Sequence, residues 1–392
     1  MNPHLSTRIQ RLLPLALMVI CTAIALGAYL QALHYPFSSD DDGYLTDNSR
    51  LLGLPFLQLW RLFTEPYNSA FEFLPLRELS YWFDLNLFGL TPAAFRIHNI
   101  VLYLLSLPLV YGATLGIWRY FRPVDISGAP WAAAAVTALF ALHPTLVEPV
   151  VWISGRKYML PNFFSLLALW FALNVKRDHG FFAPYAAAAL GAFLAVMLSK
   201  ATYVPVAAII TLLWVLFWRD LPASRRHPVL LLWPGAILLL AAIFTLIFIA
   251  NGGGLAGMKK IPFYFGIETL TRTLAVLGWL ARLAISPENR HFFYPIFGEG
   301  FSAMVAVGAV TVVAAGWGAL AMLRHRSLEG FAAVVFLLLC LPYLHLVPYS
   351  PPSLISDRFL SLAVWPATLL LVALTWRLKP VPRIVLLLVV AL

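Results

Sequence analysis

Three consecutive aspartates, Asp40, Asp41 and Asp42, follow the first long apolar run of the chain. The pair Asp47-Asn48 comes a few positions later in the same polar stretch. A carboxylate at a membrane boundary can serve as a general base in an active site. The alternative is a solvated turn, which this density of aspartate and asparagine also favours. Composition alone leaves both interpretations open.

Basic side chains stand near the ends of later apolar runs, and the candidates for substrate binding among them are Lys200, Arg282 and Arg358. Arginine binds phosphate oxygens bidentately and lysine supplies a compact positive charge, so such a set can neutralise a phosphate leaving group. Acids and bases gathered at one membrane face therefore suit a phosphate-bearing substrate and a reaction that needs a general base.

The stretch of residues 143–161 holds three further candidates, His143, Glu148 and Arg156. His143 precedes a proline, so the end of a helix explains it at least as well as a substrate contact does. Glu148 and Arg156 are alternatively an ion pair that locks this loop.

The composition identifies a membrane protein. Of the 392 residues, 61% are hydrophobic and 11% are charged, a balance that soluble domains do not reach. The net charge of +10 sits in short clusters between apolar runs, which is a pattern of membrane topology and argues against a nucleic-acid partner. Cys21 and Cys340 both lie within apolar runs, so neither a disulfide framework nor a cysteine metal site is expected.

The apolar runs predict an all-α polytopic protein, with residues 1–392 forming a single membrane domain of about 10 or 11 transmembrane helices. The first run is too long for the core of a signal peptide, so it is predicted to be retained. The last run, 384–392, is too short to span, which predicts that the sequence continues beyond Leu392 or that this end is buried. The predicted spans cover residues 13–33, 99–118, 130–143, 158–175, 181–199, 201–218, 228–250, 301–323, 330–348 and 359–376.

The basic clusters orient these helices. With the N-terminus in the cytoplasm, the clusters between spans fall on the cytoplasmic side, provided that residues 251–300 stay outside. Residues 267–285 then do not span, and their charges Glu268, Arg272 and Arg282 would be costly at the bilayer centre. This segment is therefore predicted as a re-entrant or interfacial helix.

The other long outer loop covers residues 34–98. Its amphipathic stretches, 55–63 and 76–90, are too short or too charged to span, and they are predicted to lie along the outer interface.

Several large side chains need no substrate to explain them. Long basic side chains snorkel toward lipid headgroups, and this interpretation is favoured for Arg96, Lys259, Lys260 and Arg290. Tryptophans are enriched in interfacial belts, and this interpretation is favoured for Trp60, Trp82, Trp118 and Trp152.

Five segments in chain order carry a resemblance to a known family. They are Asp40-Asp41 followed by Asp47-Asn48; LPLRELSYWFDLNLFGLTPAAFRIHNIVLYLL from Leu74 to Leu105; His143-Pro144 with Glu148 and WISGRK; Ser199-Lys200; and Asp357-Arg358-Phe359. Together they cover most of the chain. They resemble the GT-C membrane glycosyltransferases, closest to the protein O-mannosyltransferase branch that includes the transmembrane O-mannosyltransferases targeting cadherins and their bacterial relatives.

The resemblance implies a GT-C-type bundle with interfacial helices in its two long outer loops. It implies an inverting glycosyltransferase that moves a sugar from a polyprenyl-phosphate donor to a hydroxyl acceptor on protein, lipid or glycan. It requires no metal or other cofactor, although other GT-C enzymes hold a divalent cation on such acids.

Roles carried over from the resemblance fall on named residues of this chain. Asp40 is the expected base, with Asp41 second. The expected donor-phosphate ligands are Arg358, Lys200 and Arg282. The residues expected to shape the site are His143, Glu148, Arg156 and Arg77.

The chain departs from the family pattern at four positions, which leaves the donor sugar open. Leu74 stands where the family has Arg, Arg96 where it has His, Tyr158 where it has Asp, and Ala201 where it has Glu.

Two other function classes compete. A transporter or flippase for a lipid-linked saccharide would have ionisable residues near mid-membrane and pseudo-repeated halves, neither of which the sequence displays. A non-catalytic scaffold would tolerate neutral residues at Asp40 and Asp41. Short loops and the lack of a eukaryotic targeting signal predict a bacterial inner membrane, with the active site on the periplasmic side.

Overall fold

The described part of the chain is almost entirely helical, as the sequence predicts. A computed structural model describes residues 3–65, 73–177, 180–181, 183–226, 228–250, 266–286, 294, 300–346, 354–376 and 378. One two-residue antiparallel pair, Lys176–Arg177 with Gly180–Phe181, connects two of the helices. The predicted terminal run 384–392 and the basic residues Lys259, Lys260 and Arg290 lie outside the described residues.

The helices of the described residues are numbered in chain order. They are α1 (Pro3–Leu30), α2 (Arg61–Thr64), α3 (Pro75–Phe88), α4 (Pro92–Phe121), α5 (Ala129–Ala141), α6 (Val147–Val151), α7 (Arg156–Leu173), α8 (Ala183–Ser199), α9 (Pro205–Asp220), α10 (Leu232–Ala250), α11 (Ile267–Ile285), α12 (Phe301–His325), α13 (Leu328–Cys340) and α14 (Val364–Thr375).

Fewer helices than predicted are long and apolar enough to cross a membrane alone. Among the described residues four qualify: Leu13–His34, Pro92–Phe121, Ala201–Asp220 and Phe301–His325. A fifth is added if Ala129–Ala141 and Pro144–Val151, which meet at 53°, count as one bent span. Other apolar helices in predicted spans are shorter, including α13 and α14. The chain is therefore a multi-pass helical membrane protein, while the count of ten or eleven spans stays a prediction.

Helix α4 runs through the middle of the bundle and packs against α5 and α7. Beyond its last residue, Arg122 pairs with Glu329 and donates a hydrogen bond to the carbonyl oxygen of Ala373 at 3.1 Å. Tyr120, near the end of α4, donates a hydrogen bond to Asp220 at 2.7 Å. Asp220 also pairs with Arg326, so this ion pair lies at the same end of the bundle. These contacts gather basic clusters that the sequence places on one side.

Helices α11 and α12 form a closely packed antiparallel hairpin. A Cβ atom added at Gly278 would overlap the carbonyl oxygen of Met304, and one added at Gly308 would overlap that of Leu274. Only glycine allows backbones to approach this closely. Helix α11 thus packs closely against the candidate span α12, and its re-entrant or interfacial placement stays a prediction.

The first outer loop has a small core of its own. Both amphipathic stretches are partly helical, as α3 and as the short turns around α2. Helix α3 begins at Pro75, and Gly89, with φ 66°, ends it. Its buried face carries Tyr81 and Trp82, which pack with residues before α2. This core gives the aspartate-bearing segment a rigid support outside the main bundle.

Candidate active site

The acid loop, defined as residues 38–48, contains four aspartates and buries one of them, Asp41, completely. The Asp41 carboxylate accepts hydrogen bonds from the backbone N–H of Ser154 at 2.9 Å and from its hydroxyl at 2.6 Å. It also accepts one from the backbone N–H of Ser38 at 3.0 Å. Burial raises the pKa of the Asp41 carboxyl, while these hydrogen bonds and the charge of Arg96 act to lower it. Asp41 thus fixes the acid loop to the segment around Ser154.

Asp40 and Asp42 are exposed. Asp42 accepts a hydrogen bond from the hydroxyl of Thr46 at 3.2 Å, so its carboxylate is engaged within its own turn. The Asp40 carboxylate makes no hydrogen bond or ion pair with any residue that the structure describes. Ser39, just before it, has φ 57°, which is uncommon for a residue with a side chain. Asp40 is therefore the aspartate of the triplet that is exposed and has no hydrogen bond or ion pair among the described residues.

The second acid-loop motif contributes a buried asparagine. Asn48 donates hydrogen bonds to Glu78 at 3.3 Å and to the carbonyl oxygen of Tyr44 at 3.0 Å. Glu78 pairs with Arg77, whose guanidinium carbon lies 4.0 Å from the centroid of the Tyr44 ring. Arg77 therefore supports the acid loop by packing against Tyr44, and this contact is how it would shape the site.

Arg156 is fully buried where α3, α4 and α7 meet. Its guanidinium donates hydrogen bonds to Asp84 at 2.5 Å, to the side-chain oxygen of Asn99 at 2.7 Å and to the carbonyl oxygen of Phe95 at 2.7 Å. The predicted ion pair between Arg156 and Glu148 is wrong. Asp84 takes that place because α3 packs against the start of α7 and brings a buried carboxylate within reach.

Glu148 instead pairs with Arg358. The Glu148 carboxylate also accepts hydrogen bonds from the hydroxyl of Ser356 at 3.1 Å and from the backbone N–H of Arg358 at 3.1 Å. The Arg358 side chain keeps 14% of its surface exposed. Two predicted site residues 210 positions apart are thus brought together, and Arg358 remains accessible.

Three cations form what we call the basic cluster: Lys157, Lys200 and Arg358. Arg358 hydrogen-bonds with Tyr158, and the Lys200 ammonium lies 5.0 Å from the centroid of the same ring. Trp152 has Arg358 at 5.4 Å and Lys157 at 5.3 Å from its ring centroid. Two of the three predicted phosphate ligands, Lys200 and Arg358, therefore lie next to Tyr158, a position where the family pattern has Asp.

The basic cluster borders the acid loop. The Lys157 ammonium lies 3.4 Å from the hydroxyl oxygen of Tyr44, within the acid loop. Ser154, which holds Asp41, lies in the same short segment as Trp152 and Lys157. The segment 152–157 therefore contacts the acid loop through Ser154 and Lys157 and Arg358 through Trp152.

The indole of Trp152 occupies the centre of this arrangement. Its nitrogen is buried and has no hydrogen-bond partner among the residues that the structure describes. The belt interpretation is wrong for Trp152, because its ring lies between protein cations, and also for Trp82 and Trp118, which are buried within the protein. Trp60 is exposed in the outer loop, so its interfacial role stays a prediction.

Two other predicted residues have contacts of their own. Arg282 is exposed, and its guanidinium lies 5.3 Å from the ring centroid of Trp279. His143 is buried, with one ring nitrogen 2.8 Å from the Thr145 hydroxyl and the other 3.2 Å from the carbonyl oxygen of Ala284. His143 therefore ties the end of α5 to the end of α11.

The snorkelling interpretation of Arg96 is wrong. Arg96 is 2% exposed and donates hydrogen bonds to the carbonyl oxygens of Tyr35, of Pro36 at 2.6 Å and of Val151 at 3.2 Å. The first turn of α4 is covered by two chain segments, so the guanidinium has no path to lipid headgroups.

Sequence reasoning missed three residues that build the site: Ser154, Asp84 and Lys157. Asp84 had a signal, since Arg77, Ser80 and Asp84 share one face of a helix by their spacing. Lys157 lies in the quoted WISGRK motif but had no role assigned. Ser154 gave no signal, because its partner lies 113 positions away.

The residues that the structure describes contain no group of three or more histidine, cysteine, aspartate or glutamate side chains placed to hold a metal ion.

Comparison with known proteins gives one distant relative. The chain is 26% identical over 166 residues to a protein O-mannosyl-transferase of Caenorhabditis elegans. The match covers 41% of this chain and 23% of the relative, so the matched segment spans about a quarter of that protein's length. No protein-family model matches the chain, and no solved structure matches it. The similarity supports an O-mannosyltransferase-like relationship, in agreement with the resemblance of the sequence motifs.

Proposed function

We propose that this protein is a membrane glycosyltransferase that transfers a sugar from a polyprenyl-phosphate donor to a hydroxyl acceptor at the outer face of the membrane. One observation carries the proposal: an accessible carboxylate, Asp40, belongs to a loop fastened through Asp41 to the segment 152–157, which carries Lys157 and has Arg358 beside its Trp152. The distant similarity to a protein O-mannosyl-transferase supports the reaction class.

The proposed chemistry is a single displacement. Asp40 takes the proton of the acceptor hydroxyl as its oxygen attacks the anomeric carbon. The bond between that carbon and the donor phosphate breaks, and the phosphate leaves with the electron pair. One displacement with one base inverts the configuration at the anomeric carbon. Neither a metal nor a second nucleophile takes part in this scheme.

The basic cluster supplies charge for the departing phosphate. Arg358 presents a guanidinium, suited to bidentate contact with phosphate oxygens, and Lys200 and Lys157 add positive charge beside it. The Trp152 indole, with its N–H lacking a partner among the described residues, is a further donor for a phosphate or sugar oxygen. The polyprenyl chain would remain in the bilayer.

The arrangement of charge favours this function over transport. The acid loop, the Glu148–Arg358 pair and the basic cluster gather beyond the ends of α1, α5 and α13, at one end of the bundle. A transport pathway would place ionisable residues near mid-membrane. We further propose a cytoplasmic N-terminus and a bacterial inner membrane, which put the site on the periplasmic side.

The test is release of polyprenyl phosphate by purified protein in lipid nanodiscs, supplied with polyprenyl-phosphate sugars and candidate acceptors. Asp40→Asn should abolish release without lowering the melting temperature. Asp42→Asn is the matched control, since Asp42 is an exposed neighbour engaged with Thr46, and it should retain activity. Full activity of Asp40→Asn refutes the assignment of the base. Movement of a lipid-linked saccharide across vesicles without donor turnover would establish the transporter instead.

A further inference from the structure

Arg96 joins two segments that carry opposite halves of the proposed site. Tyr35 and Pro36, whose carbonyl oxygens accept from its guanidinium, directly precede the acid loop. Val151, the third acceptor, ends α6, the helix that carries Glu148. The Arg96 guanidinium thus donates hydrogen bonds to carbonyl oxygens of both segments.

A second, independent tie joins the same two segments. Asp41 accepts two hydrogen bonds from Ser154, three positions after Val151. The acid loop is therefore held at two points against the segment that leads from Glu148 to Lys157. The separation between Asp40 and the Glu148–Arg358 pair depends on both ties.

We infer that Arg96 is a positioning residue, which sets the distance between the base and the phosphate-binding cations by clamping residues 35–36 to residue 151. The inference rests on the proposed function for its catalytic consequence, but not for the clamp itself. Arginine suits this role because its five fixed donors reach several carbonyl oxygens at once, whereas the imidazole of the family's histidine has two nitrogens.

Arg96 also acts on Asp41 through its charge. The groups that face the Asp41 carboxylate are Ser38 of the acid loop, Ser154 after α6, the guanidinium of Arg96 on α4 and, through charge, Tyr81 on α3. Of these, Arg96 is the cation, and its charge favours the ionised form of Asp41. Ionised Asp41 holds the loop that carries the base Asp40, so loss of the Arg96 charge should raise the pH below which this tie weakens and thereby move the acid limb of a pH–rate profile to higher pH.

The test compares Arg96→Gln and Arg96→Lys with wild type in nanodiscs. Small displacements of catalytic groups can cost about 10²-fold in rate, so Arg96→Gln should lower kcat at least about tenfold while the KM for donor changes little. The acid limb of the pH–rate profile of Arg96→Gln should shift to higher pH. Arg96→Lys keeps the positive charge but loses the planar guanidinium with its several N–H donors. It should therefore lower kcat and leave the acid limb of the pH–rate profile in place. The control is Arg61→Gln, an exposed arginine of the same loop that pairs with Glu65, and it should match wild type.

Hydrogen exchange gives an answer that does not depend on turnover. The amides of residues 35–48 and 151–155 should exchange faster in Arg96→Gln than in wild type, and Arg61→Gln should leave them unchanged. Unchanged exchange in Arg96→Gln would overturn the clamp. A raised KM with unchanged kcat would overturn the positioning role and make Arg96 a substrate ligand. If wild type turns over no donor, the proposed function fails while the exchange result still decides the clamp.

Discussion

Asp41 and Ser154 are 113 positions apart and share two hydrogen bonds, one from the backbone and one from the hydroxyl of Ser154. A carboxylate that is fully buried and bonded in this way holds the loop and does not meet the substrate. Its exposed neighbour Asp40 is left as the group that can take a proton. Under the proposed function, Asp41 supports the loop and Asp40 acts as the base.

Ser154→Ala should destabilise the protein in a pH-dependent way. A hydrogen bond to a charged acceptor contributes about 1.5–3 kcal/mol, so the free energy of unfolding should fall by roughly that amount where Asp41 is ionised. At low pH, where Asp41 is protonated, the two proteins should differ less. Melting temperatures between pH 4 and pH 8 measure the difference, and a constant gap across this range would contradict the prediction.

The same carboxylate predicts the behaviour of Asp41→Asn. Because burial raises the pKa of Asp41, the folded state binds its proton more tightly than the unfolded state does. The wild type should therefore lose stability relative to Asp41→Asn as pH rises through the folded-state pKa. Parallel melting curves for the two proteins would show that Asp41 titrates as it does in the unfolded chain.

Arg358→Gln should weaken donor binding as well as stability. It removes a proposed phosphate contact and leaves Glu148 without its ion pair, and breaking a partly buried pair is destabilising. We expect at least about a tenfold higher KM for the donor. Arg326→Gln is the matched control, because Arg326 also pairs with a carboxylate, Asp220, but at the opposite end of the bundle. An equal rise in KM for both variants would point to a general loss of structure.

Trp152→Phe should separate binding from folding. It keeps an aromatic ring between the cations and removes the indole N–H, which has no partner among the described residues, so the melting temperature should hold or rise. The KM for the donor should increase. Trp82→Phe provides the contrast: it loses a 2.7 Å hydrogen bond to the carbonyl oxygen of Leu54, so its melting temperature should fall. An unchanged KM in Trp152→Phe would remove the indole from the binding site.

Gly308→Ala should force α11 away from α12. The added methyl group would overlap the carbonyl oxygen of Leu274, whereas Gly316→Ala on the same helix meets no atom within 4 Å. We expect Gly308→Ala to lower stability by about 1–3 kcal/mol, the usual cost of overpacking. Gly316→Ala should be neutral or stabilising by up to about 1 kcal/mol from helix propensity. Thermal unfolding of the two variants decides the matter.

Sequence patterns predicted the features that depend on residues close together along the chain. The long apolar runs form helices, and the amphipathic stretch near residue 80 forms α3. The charged partners were less predictable, because any of several carboxylates could pair with Arg156. The choice of Asp84 over Glu148 depends on how α3 docks against α7, which no single segment encodes.

Close packing was also beyond sequence reasoning. Gly278 and Gly308 look like ordinary glycines in apolar helices, and their role appears only when two backbones touch. The snorkelling prediction for Arg96 failed for a related reason. An arginine near a membrane boundary usually extends toward lipid headgroups, but here the chain before the acid loop folds over it.

The ties from Ser154 and Arg96 to the segment before and within the acid loop also impose an order on biosynthesis. Asp41 leaves the ribosome long before Ser154, and Arg96 emerges before Val151. The acid loop of the nascent chain therefore cannot form these hydrogen bonds until the polypeptide up to residue 154 has been inserted. Arg358, the partner of Glu148, comes later still. Under the proposed function, catalytic competence should thus appear only after Arg358 has been synthesised, which would protect lipid-linked sugars from unproductive consumption by shorter nascent chains.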